Sequence, residues 1–202
     1  MAFFSATVTF TRYRADAGPV ENFWGRAVEQ VEALKFREGV SGIEDDSYGW
    51  CSVHDPYSDG ITTDDISWGD FFLAAIRIEQ RKVPAAVLRK YCITEEKRLK
   101  EEKDMRRLPA RLRKEIRERV RFELMAKAIP VPRIVELLWD ISSGQVFLFS
   151  CQERSREVAE ELFYRTFGLR LQPVIPYTLA EEFAMAEGLG ERLSSIGAEV
   201  LA

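Results

Sequence analysis

The sequence predicts an α+β fold, with an antiparallel or mixed sheet, flanking helices and a basic helical hairpin. Three observations predict it. Strict apolar/polar alternation opens the chain, helical spacing of apolar residues recurs later, and the elements run strand–helix–strands–helices–hairpin–helix. The 202 residues are 46% hydrophobic and 31% charged, enough to bury a real core in one sizeable domain and too apolar for a disordered polyampholyte.

Each element has its own signal. In residues 4–10, Phe4, Ala6, Val8 and Phe10 alternate with Ser5, Thr7 and Thr9, the pattern of a half-buried strand. A helix follows, with Pro19 in its first turn and Val20, Phe23, Trp24, Ala27, Val28, Val31 and Leu34 on one face. Residues 41–70 are turn-rich and acidic, with a short strand around Gly49–Val53. The run FFLAAIRIEQ, residues 71–80, reads as a strand. Pro84 opens a helix over 85–104, and Pro109 opens another that runs to about Ala128. Ile134–Ile141 and Gln145–Ser150 are apolar runs around Ser142-Ser143-Gly144, a hairpin signal. Ser155 is positioned to cap a helix with Val158, Leu162 and Phe163 inside and Gly168 as its stop. After LQPVIPY a weak helix begins at Leu179, interrupted by Gly188 and Gly190. The expected division is one domain over 1–178, containing the hairpin 85–128, and a C-terminal helix or tail over 179–202.

The net charge of −4 hides an asymmetry. Residues 81–133 hold 18 Lys+Arg and 8 Asp+Glu, a net of +10, leaving 11 and 25 elsewhere, a net of −14. Such segregation creates a directed field able to orient a polyanion along one element. In the first basic helix Glu95, Glu96, Glu101, Glu102 and Asp104 offset the lysines. From Arg106 to Arg121 seven arginines and one lysine face only two acids. There Leu112, Ile116, Val120, Leu124 and Ala128, with Met125, form a buried stripe, which leaves Arg113, Lys114, Arg117 and Arg121 for solvent or a partner. Arginine at that density suits bidentate phosphate contact. The competing reading is a solvated helix face laced with ion pairs, and the residues alone leave both open.

Other candidate chemistry is weaker. Glu44, Asp45, Asp46, Asp55, Asp59, Asp64, Asp65 and Asp70 have the composition of a metal-dependent nuclease site beside His54, the single histidine. An acidic, turn-rich surface explains them as well, because an EF-hand reading of Asp55–Ile66 lacks its closing Glu. No nucleophile elbow accompanies His54, and no phosphate-binding glycine motif occurs, so no cofactor is expected. Phe71, Phe72, Trp139, Phe147 and Phe149 have the character of stacking platforms, but alternating aromatics in strands belong first to a core. Cys51, Cys92 and Cys151 are odd in number and unpaired in motif, which points to reduced thiols. There is no apolar run of membrane-spanning length and no signal-peptide pattern at the N-terminus.

Several stretches in order resemble the RdgC recombination-associated proteins of bacteria. They are FFLAAIRIEQRKVPAAVLRKY, the long charged helices, LMAKAIPVPRIVELLWDISSGQVFLFS and SREVAEELFYRTFGLRLQPVIP. Leu138, Trp139, Asp140, Gly144, Ser150, Ala159, Glu160, Leu162, Gly168, Pro173 and Pro176 match one spaced pattern of that family, and Gly49-Trp50 matches another. The resemblance covers residues 4 to about 178 and implies a short form lacking roughly the C-terminal third. It implies a non-enzymatic, cytoplasmic, nucleoid-associated protein that binds double-stranded DNA without sequence preference, as a homodimer, and antagonises RecA in homologous recombination. The expected phosphate contacts are Arg106, Arg107, Arg111, Arg113, Lys114, Arg117 and Arg121, joined by Arg81, Lys82, Arg89 and Lys90 at the strand–helix junction. The alternative is an interaction module whose basic helix docks on an acidic protein without binding DNA.

Overall fold

A computed structural model describes residues 7–15, 23–38 and 47–189. Its elements are β1 (Thr11–Ala15), α1 (Phe23–Ala33), β2 (Ser47–Cys51), α2 (Thr63–Ile66), β3 (Ser67–Trp68), β4 (Phe71–Gln80), α3 (Ala85–Glu102), α4 (Ala110–Lys127), β5 (Val131–Asp140), β6 (Gln145–Leu148), α5 (Glu153–Phe167), β7 (Leu171–Pro173) and α6 (Pro176–Ala186). The strands form one sheet in the order β2-β4-β5-β6-β1-β7, with β3 also on β4. The β1–β6, β1–β7, β3–β4 and β5–β6 pairs are antiparallel, so the fold class is α+β. The chain divides into two compact units. One comprises Met1–Lys35, Trp50–Ile76 and Val135–Ala202, the other Phe36–Gly49 and Arg77–Ile134.

The first unit is built on an aromatic core. Trp50, Phe72, Trp139 and Phe163 are almost wholly buried. Trp139 meets Phe23 at 5.2 Å and Phe163 at 5.1 Å between ring centroids, in edge-on geometry. Phe167 lies 4.8 Å from Phe163 and 5.4 Å from Trp139. Such pairs each add about 0.5–1.5 kcal/mol beyond the area they bury. Two buried polar groups fix the registry of this core. Trp50 Nε1–H donates to Thr166 Oγ1 at 2.8 Å, and that hydroxyl donates to the Leu162 carbonyl at 2.7 Å. The Tyr13 hydroxyl donates to Glu160 at 2.9 Å, and burial, followed by this bond, pushes the Tyr13 phenol well above its usual range.

The strand expected over 4–10 is not found among the described residues of that stretch. Residues 1–6 lie outside the described residues, residues 7–10 form no strand, and β1 begins at Thr11, opposite Leu148 at the end of β6. The buried side of β1 is the odd-numbered one, Tyr13 and Ala15, whereas Phe10 is 46% exposed. The alternation in residues 7–10 therefore does not make a strand; non-local pairing with β6 sets where β1 lies and which of its sides is buried. Pro19 and Val20 also lie outside the described residues, and α1 is described from Phe23. The short strand expected around Gly49–Val53 is β2, which starts two residues earlier.

The hairpin signal at Ser142-Ser143-Gly144 is realised between β5 and β6. Asp140 accepts hydrogen bonds from the Ser142 and Ser143 backbone N–H groups at 3.0 and 3.3 Å and from both hydroxyls at 2.7 Å. The Ser142 bonds, more than any other cause, hold its carboxyl below the usual range. Ser155 does not cap α5. The helix starts at Glu153 after Gln152, and Ser155 is buried within it. Gly168 ends it in the left-handed region at φ 71°, as its position indicated. α6 starts at Pro176 instead of Leu179, because proline suits a first helical position and Thr178 Oγ1 accepts the Ile175 N–H at 2.9 Å.

In the second unit α3 and α4 pack on each other around Leu108, Ile116 and Val120, supported by Leu88, Cys92, Leu99, Met105, Leu112 and Leu124. α4 buries Ile116, Val120 and Met125, three members of the stripe read from sequence, while α3 buries no residue fully. α3 ends at Glu102, two residues before the expected position. Asp104 takes φ 46°, and Met105 N–H reaches back to the Lys100 carbonyl at 2.9 Å. This is a Schellman stop with aspartate where glycine is usual, and Met105 just after it packs against the core of Leu108, Ile116 and Val120. At the end of β4, Arg77 bonds Glu79 and Glu38 and stands 4.2 Å over the Phe36 ring.

Candidate nucleic-acid interface

The sequence of α4 decides where its cations go. With Ile116, Val120 and Met125 turned inward, helical geometry carries Arg113, Lys114, Arg117 and Arg121 off the buried stripe, and all four are exposed. Some cations of the helix are partly neutralised. Arg111 pairs with Glu115 at 2.9 Å, Lys114 approaches Glu118 at 3.9 Å, and Arg119 pairs with Glu95 across to α3 and with Glu123 at 3.8 Å. Glu95 also receives Arg98 at 2.8 Å, and the Arg98 hydrogen bond holds its carboxyl below the usual range. Arg106, Arg107, Arg113, Arg117 and Arg121 have no carboxylate partner among the described residues. The ion-paired reading therefore holds for part of the segment only. The 95–102 stretch, with Arg111 and Arg119, is an ion-paired surface, and these five arginines are not, among the described residues.

Four of the sequence-selected cations come together. Arg89 from α3 and Arg113, Lys114 and Arg117 from α4 line one groove of about 710 Å³, with Glu96 as its single acid. Its apolar lining is Ala85, Leu88, Cys92, Ile93 and Ala110. Sequence reasoning passed over these apolar residues, although Ala85, Leu88, Cys92 and Glu96 recur at helical spacing along one side of α3. Burial raises the Cys92 thiol above its usual range, with Arg117 acting in the opposite direction. Arg106, Arg107, Arg111 and Arg121 are exposed but do not line the groove, nor do Arg81, Lys82 and Lys90. Arg81 is half-buried, with an Nε that finds no hydrogen-bond partner among the described residues, and Lys90 lies 5.9 Å from the Tyr91 ring centre.

The chain matches the family model described as "Putative exonuclease, RdgC" over residues 13–194. It belongs to the RdgC family. A search of curated proteins found no match. The matched RdgC span contains all of α3, α4 and the groove between them.

The other candidates look different in three dimensions. Glu44, Asp45 and Asp46 lie outside the described residues. Asp65 accepts Ser52 Oγ at 2.7 Å and the Thr62 N–H at 2.8 Å. Burial alone would raise its carboxyl, but these bonds bring it below the usual range. Asp55 accepts the Tyr57 N–H at 3.1 Å, the signature of a turn-former. Among the described residues no three His, Cys, Asp or Glu side chains converge as a metal site. His54 is exposed. No helix of the described residues is long and apolar enough to cross a membrane. Cys51, Cys92 and Cys151, respectively buried, half-buried and exposed, form no disulfide among the described residues.

Proposed function

We propose that this RdgC-family chain is a non-enzymatic protein that binds double-stranded DNA through its phosphates, without reading sequence, and so modulates RecA-dependent homologous recombination. The observation that carries the reading is the set of arginines on and before α4 that have no carboxylate partner among the described residues, beside neighbours that have one. Guanidinium groups held close together without counter-charges favour an anion with regularly spaced phosphates. The acidic remainder of the chain disfavours contact elsewhere and restricts a duplex to one face. A homodimer would double this cationic surface along a single duplex.

Duplex binding at low salt, measured by fluorescence anisotropy on unrelated sequences, tests the proposal. Similar affinities for all sequences are expected, falling steeply as salt rises. The combined Arg113→Glu, Arg117→Glu and Arg121→Glu variant is expected to lose binding. An unchanged affinity in that variant, or length-independent binding that heparin and an acidic polypeptide displace equally, would refute it and favour an acidic protein partner.

A further inference from the structure

We propose that the groove between α3 and α4 accepts one unpaired nucleotide, its base against the apolar lining and its phosphate on the guanidinium rim. The inference rests on the phosphate-binding reading above and narrows it from a charged surface to a pocket with a preferred DNA structure. Its size is the first argument. A cavity of about 710 Å³ is within the range of about 300–1,000 Å³ typical of small-molecule sites.

The lining is the second argument. Contact with duplex phosphates alone needs cations on a solvated surface, as Arg106 and Arg107 provide. The groove adds Leu88, Ile93 and two alanines to the same lining as the cations. In a duplex the faces of the bases are stacked away, so these apolar side chains gain nothing from it. An unpaired base presents a flat apolar face to them and can also lie against an arginine plane. Arg89, Arg113 and Arg117 are free of carboxylate partners among the described residues and can hold its phosphate. Glu96, the one acid in the lining, is an acceptor for the N–H edge that every unpaired base carries. The same carboxylate repels a second phosphate, which limits the groove to a single nucleotide.

Two duplexes of equal length test the proposal, one fully paired and one with a single central unpaired 2-aminopurine. Both are titrated with the full chain at one salt concentration. The bulged duplex is expected to bind about tenfold more tightly, the scale of one base stacked on a protein surface, with a change in 2-aminopurine emission. Ala85 and Ala110 are exposed first residues of their helices, so the double variant Ala85→Leu, Ala110→Leu narrows the groove without disturbing the fold. It is expected to bring the ratio of the two affinities to about one. Ile93→Asn, at a position 47% exposed, removes apolar lining at constant charge and is expected to act in the same direction. Equal affinity for both duplexes in the unaltered chain overturns the groove proposal, as does a ratio that survives these variants. Failure to bind either duplex overturns instead the phosphate reading on which it rests.

Discussion

Replacing Arg117 and Arg119 separately by alanine sets a guanidinium without a carboxylate partner against a committed one. Each variant removes one positive charge from the same exposed turn of α4. Arg119 is held by Glu95 and Glu123, while Arg117 has no carboxylate partner among the described residues. Five arginines between 106 and 121 share that unpaired condition. If each neutralises one phosphate, log K falls with log salt at a slope of about −4.5, so affinity drops about 500-fold between 0.05 and 0.2 M salt. Arg117→Ala should reduce the slope to about −3.6 and the drop to about 150-fold. Arg119→Ala should change the slope by less than half as much, because its guanidinium is already neutralised within the protein. Anisotropy titrations of a short duplex at four salt concentrations give all three slopes. Equal changes in the two variants, or an unchanged slope for Arg117→Ala, would show that carboxylate pairing does not decide which cations meet phosphate.

Three further outcomes follow from the fold. Thr166→Val removes the acceptor of the buried Trp50 N–H, and the urea midpoint should fall by an amount equivalent to about 1–3 kcal/mol, with an altered Trp50 emission. Asp104→Gly relieves a left-handed residue and should raise stability by about 1 kcal/mol, whereas a loss would show that the Asp104 side chain itself holds the turn. Tyr13 carries a phenol raised by burial and by its bond to Glu160, so the folded state holds this proton more tightly than the unfolded chain. That contribution is present below the unfolded value of about 10 and is lost as pH climbs above it, at up to about 1.4 kcal/mol per pH unit. Stability against urea from pH 9 to 11 should therefore fall more steeply in the unaltered protein than in Tyr13→Phe, and parallel profiles would refute the assignment.

Much of the secondary structure was legible because its signals are local. Pro84 and Pro109 set the starts of α3 and α4, Gly168 set the end of α5, and the run of residues 71–80 is β4. Where non-local pairing decides, the sequence was a poor guide. Nothing in residues 4–10 reveals that β6 will pair only from Thr11 onward and place the odd-numbered side inward. The end of α3 was missed because its left-handed stop carries Asp104 and not glycine. For the site, charge arithmetic found the cationic segment, but it could not distinguish Arg117 from Arg119. That distinction depends on Glu95, 24 positions away in sequence, and appears only when α3 and α4 pack. The groove was illegible for the same reason, since each helix supplies only part of its lining.

The absence of any fully buried residue in α3 has a dynamic consequence. Helices draw most of their stability in proteins from packed apolar faces, and this one has only partial cover from Leu88, Cys92 and Leu99. Its amides should therefore exchange with solvent through local opening, well before those of α5, whose face holds Val158, Ala159, Leu162 and Phe163. A polyanion bridging Arg89 to Arg113 and Arg117 would bind only the closed arrangement and so protect α3 in proportion to its occupancy. The helix that contributes least to the core would then report most directly on whether DNA is bound.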